Sequence, residues 1–458
     1  KFKKQIFSFN ILKFVFISKL ILMKKVLIIA YYFPPSGGPG VQRVLKSVKY
    51  LKQFGWEPVV LTVANGQFPA IDESLLKEIP EGTKVYRTKI FEPYDLYRKF
   101  TGKGKNVALD VNNIKKDDQK RSFTEQISEF IRATFFIPDA RIGWRRYAVK
   151  KGLEIIHSEN IDAIYSSSPP YTCSLIAWDL KRKTKLPWIA GLRDPWTDFL
   201  TTPTRWWLPK LIDRGMEKSV FQEADYVECA WEGIRKDALQ KYPYFDAEKF
   251  IHIPNGFDSE DFPLLETHTN EILTITYTGS MYGRRNPLAL FNALEELVLE
   301  ERIKKDKFKF KFIGRFGAEI EEMIANTSFK EQIEVINYMP HSESIKMLMN
   351  SDVLLLIVDE AKESKEIVPG KVYEYLGVLK AIFAITPQRS AIAKLIRETN
   401  AGLIAHQDEN EKLKENFLEF YNNFYSNKDL IKINKSKVSG YERKNSTKLL
   451  ASYFNELC

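Results

Sequence analysis

The sequence predicts an α/β protein built from two doubly wound, Rossmann-like domains. The first observation is length: 458 residues are too many for one comfortable core and suit two domains of roughly 200 residues each. The second is the alternation of short, continuously apolar runs, typical of buried parallel strands, with segments of helical periodicity. The third is composition, because 44% hydrophobic and 28% charged residues supply packed cores and argue against a disordered chain.

The first domain opens with a βαβ unit. The run VLIIAYY predicts a strand, FPPSGGPG breaks it with proline and glycine, and VQRVLKSVKYLKQFG carries apolar residues at helical spacing. Further strands are predicted in EPVVLTV, TKVYRTKI, IDAIYSSS, PWIAGLRD, ADYVECA and KFIHIPNG. The polar, charged stretch between Arg98 and Arg121 is interpreted as a surface excursion. We expect this domain to cover residues 23–262.

The second domain begins near Ile272, where six strand-like runs alternate with five helix-like segments. This alternation predicts a complete doubly wound domain over residues 263–435. The last segment, residues 436–458, contains STKLLASYFNEL, whose single apolar face requires a partner surface.

The N-terminal residues 1–22 are basic and apolar, but Lys13 and Lys19 interrupt the hydrophobic stretch and no small-residue cleavage site follows. A secretory signal is therefore not expected. Because Met23 directly precedes the first predicted strand, we interpret residues 1–22 as a non-native upstream extension, with a basic, apolar leader at a membrane interface as the alternative. Three scattered cysteines form neither a disulfide framework nor a zinc site and favour a cytoplasmic location.

The net charge of the chain favours negatively charged partners but does not distinguish among them. A net charge of +10 favours nucleic acid, an anionic membrane or phosphate-bearing small molecules. Two segments of the first domain, Arg141–Arg146 and Arg205–Lys210, mix cations with tryptophan. They suggest a surface that rests on anionic lipid headgroups or binds a lipid-linked phosphate, although the aromatics could equally belong to the core. We expect peripheral contact with an anionic membrane, at the cytoplasmic face of the inner membrane.

A glycine-rich loop follows the first predicted strand, at Gly37, Gly38 and Gly40. Glycines at this position let backbone N–H groups approach a ligand, and a helix N-terminus suits phosphate or sugar hydroxyls. The alternative is a tight turn. The spacing differs from Gly-x-Gly-x-x-Gly, which disfavours NAD.

A second candidate site lies where Glu366 and Glu374 flank Pro369, Gly370 and Lys371. A ligand lying across the predicted helix start could meet both carboxylates, and Lys371 would supply positive charge for a diphosphate. The alternative is a pair of solvated glutamates beside a basic residue. The apolar surroundings of Glu374 in VYEYLGVL argue against that alternative.

Two glutamates with seven residues between them resemble the Glu-x7-Glu motif of retaining GT-B glycosyltransferases of the family-4 type. The segments FPPSGGPGVQR, IPNGFD and YTGSMYGRRNP are similar to that family's N-terminal glycine loop, its approach to the interdomain linker and its donor-diphosphate loop. SSSPPYTCSLIAWDLKRKTKLPWIAGLRDPWTDF is similar to a subgroup associated with bacterial surface-polysaccharide synthesis. The resemblance covers nearly all of residues 23–458. It implies two facing domains and a C-terminal helix that returns to the first.

The resemblance also implies roles for individual residues. Glu366 would contact the donor sugar and Glu374 the nucleotide ribose, while Arg285 stands where the family usually has a diphosphate-binding lysine. The implied donor site comprises Gly279, Arg284, Arg285, Glu366, Pro369, Gly370, Lys371 and Glu374. The family's common Gly-Arg is replaced here by Gly279-Ser280, so Arg284 or Lys371 would supply the missing cation.

The acceptor side departs from the family pattern. The frequent active-site histidine has no match, because the corresponding region contains Pro169, Pro170 and Tyr171. Asp194, at the end of the predicted strand PWIAGLRD, is the candidate acceptor-side group. A strand-end salt bridge with Arg193 or a helix cap is the alternative interpretation.

These residues predict sugar transfer from a nucleotide-diphosphate sugar to a saccharide or lipid-linked acceptor with retention of configuration. No cofactor or metal is expected, since the sequence contains no His-Glu-x-x-His, Cys-x-x-Cys or Asp-x-Asp. Arg285 and Lys371 would stabilise the departing diphosphate. One alternative is a sugar-nucleotide 2-epimerase on the same fold. Another is a non-catalytic nucleic-acid-binding protein, which would leave Glu366 and Glu374 unexplained and has no recognisable motif here; we expect no nucleic-acid partner.

Overall fold

The computed structural model describes residues 23–68, 70–91, 130–131, 133–199, 202–263, 269–283, 285–337, 339–358, 366 and 368–458. The predicted excursion between Arg98 and Arg121, the N-terminal residues 1–22 and the candidate donor residue Arg284 lie outside these ranges.

Contacts divide the chain into two compact units. The first runs to Ile253 and includes Ser446–Cys458, and the second is Pro254–Asn445. The division thus precedes Phe262, where the sequence placed it. The reason is that Phe257 and Phe262 pack in the second unit's core, and the Phe257 N–H donates to the carbonyl of Tyr441 at 3.1 Å.

The first unit contains a seven-stranded parallel sheet in the order β3-β2-β1-β4-β5-β6-β7. Its strands are β1 (Lys24–Ala30), β2 (Trp56–Val63), β3 (Lys84–Thr88), β4 (Ala163–Ser168), β5 (Trp188–Leu192), β6 (Tyr226–Cys229) and β7 (Phe250–His252). Its helices include α1 (Pro39–Leu51), α2 (Arg145–Glu159), α3 (Thr172–Thr184), α4 (Trp207–Glu223) and α5 (Glu232–Lys241). The strand order reverses between β1 and β4, the position where such sheets bind ligands at the carboxyl ends of their strands.

The second unit contains a six-stranded parallel sheet in the order β10-β9-β8-β11-β12-β13. Its strands are β8 (Leu273–Thr278), β9 (Phe308–Ile313), β10 (Ile333–Ile336), β11 (Val353–Ile357), β12 (Ala381–Ile385) and β13 (Gly402–Ala405). The helices after β8 include α6 (Leu288–Leu299), α7 (Ala318–Ala325), α8 (His341–Met349), α9 (Gly370–Val378), α10 (Ala391–Thr399), α11 (Asn410–Tyr425), α12 (Lys435–Ser439) and α13 (Arg443–Leu457). The order reverses between β8 and β11, so the prediction of two doubly wound α/β domains is confirmed.

The C-terminal helix α13 completes the core of the first unit. Its side chains Leu450, Ala451 and Phe454 are buried among residues of the first sheet. The Phe454 ring centre lies 5.0 Å from that of Trp56, and Trp56 Nε1 donates to Asn455 Oδ1 at 2.9 Å. The predicted return of this helix to the first domain is confirmed, because its apolar face finds its partner surface there.

Two cations that the sequence assigned to a lipid-facing surface are buried instead. Arg205 pairs with the buried Asp213, its Nε lying 2.9 Å from Asp213 Oδ2. Arg141 lies over the ring of Tyr31, with 5.0 Å between the guanidinium carbon and the ring centre. A buried guanidinium needs such partners to offset desolvation. Among the residues that the structure describes, none of the helices combines the length and apolar character needed to span a bilayer.

Candidate active site

Two glycine turns shape the carboxyl edge of the second sheet. Gly279 follows β8 with a φ of 113°, and Gly314 follows β9 with a φ of 146°, both in the region that favours glycine. The Gly279 N–H donates to the carbonyl of Ile313 at 2.9 Å, and a Cβ at Gly314 would collide with the Gly279 carbonyl. The chain is therefore held tightly at the end of β8, beside the point where the strand order reverses.

Lys371, in the first turn of α9, reaches this strand end. Its Nζ donates to the carbonyl of Thr278 at 3.1 Å and lies 3.8 Å from the centre of the Tyr277 ring. Burial lowers the pKa of Lys371 well below its usual value, the positive charge of Arg285 lowers it further, and Glu374 opposes the shift. The ammonium is thus poorly compensated and would gain from an anion.

Arg285 approaches the same ring from the loop after β8. Burial raises the pKa of Tyr277 to about 12, although the charge and hydrogen bond of Arg285 act in the opposite direction. The Nε atom of Arg285 is buried and has no hydrogen-bond partner among the described residues. Lys371 and Arg285 therefore place two basic groups at the end of β8, an arrangement that can stabilise a phosphate group.

Glu374 lies in the second turn of α9, with its Oε1 3.0 Å from Nε2 of His341. Both side chains remain partly exposed. His341 opens α8, the helix that connects β10 to β11. Nothing in the sequence singles out His341, since its spacing to Glu374 forms no recognisable motif. Only the packing of α8 against α9 indicates its place beside the site.

The start of α9 has no side-chain cap. Pro369 is the N-cap residue and Gly370 the first helical residue, with no acidic side chain in the first turn. The N-terminal amides and their partial positive charge are therefore available to an anionic ligand. Glu366 precedes this helix start and is partly exposed. The structure thus brings Gly279, Arg285 and Lys371 to one strand end and places Glu374 on the adjoining helix.

The glycine loop of the first unit is a tight turn held by Arg193. Arg193 Nη1 donates to the Gly40 carbonyl at 2.6 Å, and Nη2 donates to the carbonyl of Pro169. A Cβ at Gly40 would lie only 2.7 Å from Arg193 Nη1. Gly38 has a φ of 97°, and the Gly37 N–H donates to the carbonyl of Ala70 at 2.9 Å. The positive φ thus accounts for Gly38 and the Arg193 contact for Gly40.

Asp194 follows Arg193 at the carboxyl edge of the first sheet. Burial raises the pKa of Asp194, while the charge of Arg193 lowers it. Within the described ranges, no hydrogen bond to its carboxylate is found. The hydroxyl of Ser167, at the end of the neighbouring β4, is also buried without a partner in the described chain. A desolvated carboxyl group of this kind can accept a hydrogen bond from a ligand hydroxyl.

No group of three or more histidine, cysteine or acidic side chains arranged to hold a metal ion occurs in the part of the chain that the structure describes.

Solved structures that match this chain identify the fold, two α/β units each built on a parallel sheet, as GT-B. A glycosyltransferase from Rickettsia africae ESF-5 is 15% identical, with 95% of this chain and 98% of that chain covered and a TM-score of 0.59. Anabaena HepE, in complex with UDP-glucose, is 14% identical, with coverage of 94% and 96% and a TM-score of 0.52. A putative UDP-N-acetylglucosamine 2-epimerase from Listeria monocytogenes is 12% identical, with coverage of 94% and 97% and a TM-score of 0.52.

The match by sequence covers a smaller part of the chain than the match by structure. Residues 40–261 match the model of the family Glycosyltransferase Family 4, and no curated protein shows significant similarity to the chain. The family match and the GT-B fold together support a glycosyltransferase.

Proposed function

We propose that the protein transfers a sugar from a nucleotide-diphosphate sugar to a saccharide or lipid-linked acceptor with retention of anomeric configuration. Its role would be in cell-surface polysaccharide synthesis at the cytoplasmic face of the inner membrane. The observation that carries the proposal is the convergence of Lys371 and Arg285 on Tyr277. These cations lie at the strand end where α/β sheets bind nucleotides, beside an uncapped helix start.

The donor would lie with its diphosphate against Lys371, Arg285 and the first amides of α9. Glu374 would accept a hydrogen bond from a ribose hydroxyl, and Glu366 would bind hydroxyls of the transferred sugar. As the bond from the anomeric carbon to the phosphate oxygen breaks, negative charge develops on the diphosphate. The two cations then stabilise that charge more strongly than in the ground state, which is what accelerates the reaction.

The acceptor hydroxyl would attack from the face that the diphosphate leaves, so configuration is retained. Its proton passes to the departing phosphate oxygen, and the new glycosidic bond forms as the old one breaks. Asp194 would orient the acceptor hydroxyl by accepting a hydrogen bond from it. No metal ion is required, because protein cations and backbone amides supply the positive charge.

A sugar-nucleotide 2-epimerase is the second candidate, because a putative enzyme of that kind shares the fold. The two reactions differ in their products. Epimerisation of a UDP-sugar needs no acceptor and changes configuration at C2, whereas transfer releases nucleoside diphosphate and forms a new glycoside. NMR of the products distinguishes these outcomes and also reports the anomeric configuration.

The first experiment is a thermal-shift panel with UDP-, GDP-, ADP- and TDP-sugars. A ligand present at about 100 times its Kd should stabilise the folded protein by about 2.7 kcal/mol. Lys371→Met should lose the response to the preferred nucleotide sugar, and Lys394→Met, which changes a lysine 76% exposed, should keep it. If no nucleotide sugar stabilised the wild-type protein, the proposed donor site would be wrong.

A further inference from the structure

The first two turns of helix α4 (Trp207–Glu223) carry large apolar side chains that point away from the first unit. Trp207 is 72% exposed and Leu211 is 63% exposed, and Leu208 and Ile212 beside them are also exposed. Phe135, 71% exposed, lies nearby, because the adjacent Thr134 accepts a hydrogen bond from Trp206 Nε1 at 3.0 Å. Exposed apolar groups this large and this close together mark an interaction surface.

Two of the three acidic residues of the same helix point the other way, and the third, Glu223, is the exposed last residue of the helix. Asp213 accepts from Trp196 Nε1 at 2.8 Å, and Glu217 accepts from the hydroxyls of Thr197 at 2.7 Å and Tyr242 at 2.8 Å. Both carboxylates are buried. Beside the exposed apolar residues of its first two turns, α4 therefore lacks the negative charge that its composition alone would suggest.

Cations flank the apolar face instead. Lys210, Arg214 and Lys218 follow one another at intervals of one helical turn, which aligns them along one side of α4. Asp198 lies 2.7 Å from Lys210 Nζ and 2.5 Å from Arg214 Nη2. One exposed carboxylate thus faces two cations, and Lys218 lies over the ring of Tyr244 at 5.2 Å. The flank keeps a net positive charge.

Hydrogen bonds of Arg205 hold the start of α4 against the first unit. Arg205, directly before the helix, joins the buried Asp213 to the preceding segment by donating to the carbonyls of Phe136 at 3.0 Å and Pro138 at 2.7 Å. The start of α4 and the segment carrying Phe135 are therefore held together. Their apolar side chains stay outward, because the inward positions are filled by this hydrogen-bonded network.

We propose that Trp207, Leu208, Leu211, Ile212 and Phe135, with the cationic flank of α4, form a surface that docks on an anionic lipid membrane. An amphipathic helix lying in the interface buries tryptophan and leucine at the headgroup boundary while lysine and arginine contact anionic headgroups. Both features occur here on one helix. This inference rests on the membrane location in the proposed function, and it is independent of sugar transfer.

Vesicle co-sedimentation tests the proposal, with phosphatidylcholine vesicles compared with vesicles that also contain phosphatidylglycerol. The wild-type protein should bind the anionic vesicles, and its tryptophan emission should shift to shorter wavelength. Trp207→Ser/Leu211→Ser should abolish binding. Arg214→Glu/Lys218→Glu should weaken it by at least about fivefold for each cation removed. Leu299→Ser, at an apolar side chain 81% exposed in the second unit, and Lys394→Glu/Lys412→Glu are the matched controls and should bind like the wild type.

Vesicle binding by Trp207→Ser/Leu211→Ser equal to that of the wild type would overturn the proposal. A second outcome would also overturn it: light scattering shows a wild-type dimer and a monomeric variant, and the wild-type protein does not bind vesicles. A second copy of the chain would then cover the surface. Nucleotide-sugar binding is measured on the same variants by thermal shift and should be unchanged. A wild-type protein that binds no nucleotide sugar would instead contradict the proposed function, and it would not contradict membrane docking by this surface.

Discussion

His341 and Glu374 form a pair in which Nε2 and Oε1 are 3.0 Å apart, so the carboxylate proposed to bind the ribose is held by a side chain from the neighbouring helix. His341→Ala should weaken UDP binding by roughly tenfold, the effect of losing one hydrogen bond to a charged group. In a double-mutant cycle measured by calorimetry, His341→Ala should add little to Glu374→Ala. His252→Ala, at a histidine 4.0 Å from Glu232 in the first unit, is the control. Additive effects of His341→Ala and Glu374→Ala would exclude a positioning role for His341.

The two glutamates of the candidate donor site should respond differently to substitution. Glu366→Ala should abolish transfer while binding of free nucleoside diphosphate stays nearly intact, because Glu366 is assigned to the sugar. Glu374→Ala should weaken nucleotide binding itself. Steady-state kinetics and calorimetry separate the two effects. If both variants kept turnover within about threefold of wild type, a change below ~1 kcal/mol at the barrier, the assignment would fail.

Burial of Lys371 should lower the free energy of unfolding, while the same side chain contributes to nucleotide binding. Its pKa is lowered in the folded protein, so between that lowered value and about 10.4 the unfolded chain binds more protons, and stability rises with pH. Lys371→Met removes this dependence. The variant should unfold at higher denaturant concentration than wild type, and the difference should shrink as pH rises through the window. It should also lose nucleotide binding. A variant less stable than wild type at the low end of the window would contradict the proposed burial cost.

Catalysis should need no divalent metal, because Arg285, Lys371 and the start of α9 are positioned to stabilise the diphosphate. EDTA should leave the initial rate unchanged. Arg285→Ala should lower turnover on the order of 10²-fold, as loss of one preorganised charge-stabilising group often does. Arg302→Ala, at an exposed arginine paired with Glu300, is the matched control. Activity lost with EDTA and restored by Mg²⁺ or Mn²⁺ would overturn the mechanism.

The C-terminal helix should stabilise the first unit. Phe454→Ala removes a fully buried ring packed against Trp56 and should cost about 3–5 kcal/mol. Asn455→Ala removes the acceptor of the Trp56 indole N–H and should cost about 1 kcal/mol. Leu449→Ala, at a partly exposed position on the same helix, should have a small effect. Tryptophan fluorescence during denaturant unfolding reports on this unit, because all eight tryptophans of the chain belong to it; equal stability of all three variants would contradict the assigned packing.

Most strands could be predicted from the sequence because they are short apolar runs with both faces covered, whereas the sheet-edge strands β3 and β10 are partly exposed. Val353–Ile357 illustrates this, since all five of its residues are buried. The return of α13 to the first domain was likewise predictable, from its apolar face and from family resemblance. The division at Ile253 was not, because the aromatic residues after it could pack equally well on either side by pattern alone.

The candidate donor site was only partly accessible to sequence reasoning. Pro369, Gly370 and Lys371 indicated an anion-binding helix start, and resemblance assigned Arg285, but neither indicated that both cations meet at Tyr277. Arg141 and Arg205 misled in the same way, because a guanidinium has the same sequence signature whether it faces solvent or is buried against a group such as the Asp213 carboxylate.

The sequence by itself determined the α/β class and the two parallel sheets, since apolar periodicity acts over a few neighbouring residues; the return of the last helix to the first domain was implied by the family resemblance. Only the tertiary structure decided which charged groups face each other. His341 contacts Glu374, Lys371 contacts the end of β8, and Asp213 turns inward so that the outer face of α4 is apolar and basic. The physical reason is that a charge is held by whatever lies beside it after folding, and those neighbours come from distant parts of the chain.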